Sequence, residues 1–212
     1  LGSMISFNLR DDEDITAQVA AATASMGALK EVWQNQHLDI YSKYLLFWAI
    51  LMNLLLWGCE TWSLRQILLN KLEAFLHRSI RPILAINMTR VKEERIRNTK
   101  IRNIFYDIPD VEHMIAARQL DFIGKAIQGP HDRLTRCMIT ACCKHQRRVG
   151  RPQTHTKNTM VQNLQMLFKN VPTTTIDRSG SLKDWINEAS DEKYWTALVQ
   201  CLLHSDAPLP ER

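Results

Sequence analysis

Residues 45–57 read LLFWAILMNLLLW, an apolar run in which Asn53 is the one strongly polar side chain. The run has thirteen residues, whereas a helix that crosses a bilayer needs about 20. A helix that is apolar on every side is typical of the centre of a protein core. We therefore predict a central, buried helix from Ile40 to Trp57 and no contact with a membrane.

The segment upstream of this run is predicted to be one long helix. From Asp11 to Asn35 the apolar residues recur every three or four positions, which places them on one face of a helix. That face consists of Ile15, Val19, Ala22, Met26, Leu29 and Trp33. The acidic run 11–14 falls in the first turn, where carboxylates interact favourably with the helix dipole. We interpret these acids as N-terminal capping rather than as a metal site.

Downstream of the central run, the sequence predicts further helices and no strand. Ser63 and Gln66 have the spacing of a capping box, which predicts the start of a third helix that ends near Pro82. The remaining predicted helices span residues 91–105, 111–128, 132–144, 156–168 and 182–203, the last as one helix or two. No alternating run of β-branched residues, the main signal of a half-buried strand, occurs in the sequence. The protein is therefore predicted to be all-α.

The positive charge of the chain is concentrated in its middle. Residues 1–60 contain three Lys/Arg and seven Asp/Glu, residues 61–160 contain nineteen and eight, and residues 161–212 contain five and seven. A basic block between mildly acidic ends indicates contact with a polyanion such as nucleic acid. The alternative is an arginine-rich helical surface that is simply solvated. Charge alone leaves both interpretations open.

The sequence lacks the motifs of common enzyme classes. It contains no glycine-rich phosphate loop, no HExxH and no GxSxG. A two-metal polymerase or nuclease site needs carboxylates that converge from separate elements, and no second acidic cluster accompanies Asp11 and Asp12. We therefore expect this stretch of chain to have no enzymatic activity and no cofactor.

The five cysteines predict a reducing compartment, the nucleus or the cytoplasm, because an odd count with one adjacent pair does not fit a disulfide framework. The first ten residues also lack the basic and apolar regions of a signal peptide. The candidate metal ligands are Cys137, Cys142, Cys143 and His145, with His131 and His155 nearby. Their spacing, C-x4-C-C-x-H, does not fit the usual zinc motifs, so we predict small buried thiols and no metal.

Several motifs, in order along the chain, carry a resemblance to a known family. They are LGSMIS at residues 1–6, LLLWGCETW at 54–62, AARQLDFIGKAIQGPHDR at 116–133, RRVGRP at 147–152 and SLKDWINEASDEKYWTALVQ at 181–200. Together they resemble the region that follows the palm in non-LTR (LINE-type) retrotransposon endonuclease/reverse transcriptases. That family has an LLYGxExW-like thumb motif, an RxLxxxGHxxR segment, a basic GRP turn and a terminal WxxxAxDRxxW pattern. In the last pattern the matching residues are Trp185, Ala189, Asp191 and Trp195.

The chain departs from the family pattern at a few positions. Trp57 stands where the family has Tyr, Lys125 where it has His, and Glu192 where it has Arg. The Trp that often follows the GRP turn is replaced by Gln153-Thr154-His155. These differences indicate drift or a divergent lineage.

The resemblance implies a fold and a division of the chain. The expected architecture is a thumb-like helical bundle (1–86), a basic helical segment with an arginine-rich turn (87–155) and a small C-terminal helical unit (156–212). The catalytic palm and the endonuclease of such a protein would precede Leu1, so the upstream palm domain is an expected partner. The fragment itself would be a non-catalytic part of an RNA-directed DNA polymerase.

A polymerase thumb closes over a template–primer duplex, and its Lys and Arg contact phosphates without reading sequence. The expected partner is therefore an RNA/DNA template–primer duplex, bound without sequence specificity. The expected contacts are Arg90, Lys92, Arg95, Arg97, Lys100, Arg102, Lys125, Lys144, Arg147, Arg148 and Arg151. The six tryptophans are expected in cores, with base stacking as the alternative for any ring that is exposed. Two other interpretations remain open, a helical protein-interaction domain and a degenerate transposon remnant without activity.

Overall fold

The computed structural model describes residues 3–4, 11–144, 156–169 and 184–203. Within these ranges the regular elements are helices and no strand occurs, so the predicted all-α fold is confirmed. The helices are α1 (Asp12–Ala28), α2 (Lys30–Gln34), α3 (Ile40–Leu46), α4 (Asn53–Leu55), α5 (Gln66–Ile83), α6 (Met88–Glu93), α7 (Asn98–Ile104), α8 (Val111–Gln128), α9 (Leu134–Lys144), α10 (Thr156–Lys169), α11 (Asp184–Ser190) and α12 (Glu192–Leu203). A π-helical segment (Phe47–Met52) joins α3 to α4, and a 3₁₀ turn (Cys59–Thr61) follows.

The chain forms two compact units. Unit 1 contains Leu1–Gly58 and Leu64–Val111, and unit 2 contains Cys59–Ser63 and Glu112–Arg212. The three consecutive segments expected at 1–86, 87–155 and 156–212 were defined by charge, composition and resemblance rather than by packing. That division stays a prediction.

Unit 1 is built around the apolar run. Helix α3, the π-helical segment and α4 form one continuous helical stretch from Ile40 to Leu55, which packs against α1. Phe47, Leu51 and Leu55 are fully buried, as expected for a central helix. Burial on every side was a wrong expectation, because Tyr41, Leu45 and Trp57 remain about half exposed. Tyr41 and Leu45 are four residues apart on α3 and so lie on one side of that helix, whereas Trp57 lies two residues past the end of α4.

Two long helices expected in unit 1 are interrupted. The helix predicted at 11–35 is divided at Leu29 into α1 and α2, two residues after Gly27, which has low helix propensity. The helix predicted at 91–105 is divided into α6 and α7. The capping box predicted at Ser63 was also wrong, because α5 begins at Gln66 and Ser63 Oγ instead lies 3.0 Å from Thr159 Oγ1.

The ends of α5 and α6 share one backbone pattern, and at α6 this pattern explains the break between α6 and α7. Ala85 and Arg95 have φ values of +54° and +50°, the left-handed conformation that terminates a helix. The amides of the next residues, Ile86 and Ile96, donate to the carbonyls of Arg81 and Val91 over 2.9 Å and 3.1 Å. This is the Schellman pattern, and it is hard to read from sequence here because neither position is the glycine that usually marks it.

Unit 2 packs α8, α10, α11 and α12 around one core. The amide of Gln119 donates to the carbonyls of Cys59 and Trp62, both over 2.8 Å, and its oxygen accepts from Asn163 over 2.6 Å. The Trp195 indole donates to the Leu120 carbonyl over 2.9 Å. These bonds tie the short segment 59–63 and the C-terminal helices to α8.

None of the helices in the described part of the chain has the length and apolar character needed to cross a bilayer.

Candidate nucleic-acid interface

The candidate interface is the stretch from Asn87 to Ile104, which we name the basic segment. It consists of α6, the left-handed turn at Arg95 and α7. The Asn87 side chain caps α6 by accepting from the Arg90 amide over 2.7 Å, while Ile96 is half-buried and Ile101 fully buried. Apolar anchors thus hold a surface on which the other side chains face solvent, except those of Val91 and Arg102.

Five of the expected contact residues lie exposed on the basic segment. They are Arg90, Lys92, Arg95, Arg97 and Lys100. Arg90 donates to Glu94 over 2.7 Å, an exposed ion pair of low energetic value. No described acidic side chain pairs with the other four cations, so they are free to bind an external anion. They lie within a short stretch of sequence, residues 90–100, on α6, on α7 and in the turn between the two helices.

Arg102 has a structural role instead. Its guanidinium is largely buried, donates to Glu73 over 2.6 Å and pairs with Asp110. The other Glu73 oxygen accepts from the Val111 amide over 2.6 Å, at the start of α8. Arg102 therefore links α5, α7 and the end of unit 1, and its expected role as a phosphate contact is not supported by its position.

His77 lies beside this ion pair and is almost fully buried. Arg102 Nη2 lies 3.3 Å from His77 Nε2. Because a guanidinium has donors and no acceptor, the ring nitrogen accepts and the imidazole is neutral. Burial, together with the charges of Arg102 and Arg81, lowers the pKa of His77 to about 4. The Glu73 carboxylate, 3.6 Å from Nε2, is already engaged by Arg102 and the Val111 amide and does not reverse this effect.

The remaining expected contacts lie elsewhere. Lys125 belongs to unit 2, where its exposed ammonium donates to Asp121 over 2.7 Å, and this hydrogen bond raises its pKa. Lys144 is the last residue of α9, and its side chain is outside the described set. Arg147, Arg148 and Arg151 lie outside the described residues, so the arginine-rich turn stays a prediction.

Two features of this surface are not apparent from the sequence pattern. Arg81, near the end of α5, donates to Asn98 over 3.2 Å and so adds a cation beside the basic segment. Tyr106, directly after the α7 cap, is exposed and contacts Tyr41 of α3. The sequence suggests base stacking for exposed tryptophans only, whereas the exposed aromatic rings next to the basic segment are those of tyrosines.

The cysteines give no support to a metal centre. Cys137 is exposed, not buried as predicted, and its thiol donates to the His131 carbonyl over 3.3 Å. His145 and His155 lie outside the described residues, as do the side chains of Cys142 and Cys143. In the part of the chain that is described, no cluster of three or more His, Cys, Asp or Glu has the geometry to hold a metal.

Described residues from three of the five motifs that carry the family resemblance meet in unit 2. Gln119, from the 116–133 motif, binds the carbonyls of Cys59 and Trp62 in the 54–62 motif. Gly124, also from the 116–133 motif, lies directly against the indole of Trp195, which belongs to the 181–200 motif. Trp185 of the same 181–200 motif contacts Trp195, with the ring centroids 6.3 Å apart. These residues of the three motifs therefore pack against one another, whereas the exposed cations of the basic segment lie on a different stretch of chain.

Comparison with known proteins adds no assignment. The chain matches no protein-family model, and neither the curated proteins nor the solved structures contain a significant match.

Proposed function

We propose that this chain binds nucleic acid without sequence specificity and without catalysis, as the thumb and C-terminal region of a LINE-type reverse transcriptase. Its partner in this role is the RNA/DNA template–primer duplex, gripped through phosphates. The observation that carries the proposal is the basic segment, where Lys92, Arg95, Arg97 and Lys100 are exposed and unpaired with any described acid.

Electrostatics makes this surface suited to phosphate. Exposed ammonium and guanidinium groups bind phosphate oxygens and release the counterions that surround the nucleic acid. Such contacts position a protein on a duplex and carry no sequence information. The family resemblance supports the same proposal, because the thumb of such a polymerase closes over a template–primer duplex and contacts its phosphates.

The test is the salt dependence of binding to a labelled RNA–DNA hybrid duplex. The variant K92Q/R95G/R97Q/K100Q removes the four unpaired cations. The slope of log K against log salt is expected to shrink by about 0.9 for each duplex phosphate that the variant no longer neutralises. Glycine is chosen at position 95 because φ is +50° there, so this change relieves backbone strain while it removes charge.

A matched control separates this surface from net charge. K30Q/K193Q removes two lysines that are equally exposed but lie far from the basic segment in sequence. This control is expected to leave the slope close to that of the wild type. An unchanged slope in the four-site variant, or an equal change per charge in the control, would contradict the proposal.

A second candidate function is a helical protein-interaction domain. The exposed apolar side chains Tyr41 and Leu45 on α3, together with Trp57 just past α4, favour it. Absence of duplex binding at low salt would place this alternative first.

A further inference from the structure

Three tyrosines of unit 1 form a small aromatic surface, which we name the tyrosine platform. Tyr41 and Tyr44 stack at 6.5 Å between ring centroids, and Tyr106 lies 5.5 Å from Tyr41 and 5.1 Å from Tyr44. Tyr41 and Tyr106 are each 49% exposed, whereas Tyr44 is partly buried beneath them. The platform therefore presents aromatic rings to solvent in a fixed group.

The rings are held from behind by the core. Tyr44 packs edge-on against Phe105 at 5.5 Å, and Phe105 packs against Phe47 at 5.3 Å. Both phenylalanines are fully buried. A platform fixed in this way loses little conformational entropy when a ligand binds, which is the benefit of preorganisation.

The backbone at Tyr106 is unusual. Tyr106 and Asp107 have φ values of +56° and +49°, a conformation that bulky side chains rarely adopt. It places a large ring in solvent next to Tyr41 rather than in the core. Strain of this kind persists where the surrounding structure enforces it, often at binding sites.

The platform is continuous with the basic segment along the chain. Lys100 and Ile104 lie one turn apart on the exposed side of α7, and Tyr106 follows directly after the Phe105 cap. Cations beside exposed aromatic rings are the combination that binds single-stranded nucleic acid, because phosphates meet the charges while bases stack on the rings. A duplex keeps its base faces covered, so the rings favour an unpaired segment.

We propose that the tyrosine platform stacks unpaired bases of a single strand whose phosphates lie on the basic segment. This inference rests on the proposed nucleic-acid function and adds an unpaired strand to the duplex as a ligand of the same cations. The neighbouring positive charge distinguishes this occupant from an apolar protein partner, for which nearby cations offer no general advantage.

The experiment compares two single strands with the same phosphates. One is a labelled thymidine oligonucleotide, and the other is an abasic oligonucleotide of equal length. Wild-type protein is expected to bind the thymidine strand more tightly, by about fivefold to a hundredfold for one stacked base. Y41L/Y106L is expected to remove this preference while the salt slope for the abasic strand stays unchanged.

Two further variants complete the test. Y41F/Y106F keeps the rings and is expected to keep the preference, whereas W57L removes an exposed ring outside the platform and is expected to have no effect. Equal binding of both strands by wild-type protein would overturn the stacking inference and leave the phosphate-binding proposal intact. Loss of the preference in Y41F/Y106F would also overturn it. Absence of binding to both strands and to the hybrid duplex at low salt would overturn both proposals.

Discussion

Burial of His77 and the charges of two neighbouring guanidinium groups, those of Arg102 and Arg81, all lower the pKa of its imidazole. The side chain lies on α5, next to the ion pair between Arg102 and Glu73. The local sequence shows only part of this environment, because Arg81 is four residues away on α5 whereas Arg102 is 25 residues away. The ion pair with Glu73 also explains why Arg102, which looks like a surface cation in the sequence, is largely buried.

The neutral state of His77 predicts a pH-dependent stability. The unfolded chain binds a proton near pH 6.5, whereas the folded chain does so only near pH 4. Stability is therefore fully present above about pH 6.5 and falls by about 1.4 kcal/mol per pH unit between the two values. Urea denaturation between pH 7 and pH 5 measures this effect.

The control for this prediction is H77Q, which has no titrating group at position 77. Carboxylates that titrate in the same range contribute equally to both proteins, so the difference between wild type and variant isolates the histidine. Parallel pH profiles for the two proteins would show that His77 is protonated in the folded state or does not titrate in this range.

At the scale of the helical elements, the packing of α8 against α12 depends on a residue without a side chain. A β-carbon at position 124 would collide with the Trp195 indole, whose Nε1 donates to the Leu120 carbonyl of α8. Glycine therefore allows the close approach of the two helices. This position is the glycine of the RxLxxxGHxxR-like motif, so the packing gives a physical reason for that motif residue.

We expect G124A to destabilise unit 2 by about 1–3 kcal/mol, because overpacking forces side chains or backbone to shift. The matched control is G27A near the end of α1, where a β-carbon meets nothing within 4 Å. Alanine there is expected to stabilise the protein by up to about 1 kcal/mol through helix propensity. Urea denaturation of both variants gives the comparison, and similar effects of the two changes would rule out this account of Gly124.

A comparison of predicted and observed helix ends shows which boundaries local sequence patterns can predict. The prediction of 111–128 agrees with α8, and the ends of α9 and α10 were predicted to within two residues. Gly129-Pro130 gives α8 a clear stop signal. The break between α6 and α7 was missed, because its left-handed position carries Arg95 in place of glycine. The amide of the next residue, half-buried Ile96, donates to the Val91 carbonyl and closes this turn.

At the scale of the whole molecule, the positive charge is divided between the basic segment and the arginine-rich turn at 147–151. Both are expected to contact phosphates, and the two contributions are separable by mutation. We expect R147A/R148A/R151A to reduce the salt slope for hybrid duplex by about 0.9 for each phosphate that these arginines neutralise in the wild type. The free energy of unfolding is expected to remain near the wild-type value.

The turn variant is best measured beside the four-site variant of the basic segment. Reductions that add when the two sets are combined would indicate that both surfaces contact one duplex. A wild-type slope in R147A/R148A/R151A would identify the turn as solvated surface and leave the basic segment as the contact.

The sequence by itself determined the all-helical class, the central place of residues 45–57, most helix bounds and the location of the positive charge. These features depend on local periodicity, on capping and turn residues, and on composition, all of which act over a few neighbouring residues. Tertiary structure alone decided that Arg102 is committed to Glu73, that His77 is neutral, that Gly124 accommodates Trp195, and that Tyr41 and Tyr106 share an exposed surface. The reason is that each of these depends on groups from different helices, whose approach is fixed by packing and leaves no local pattern.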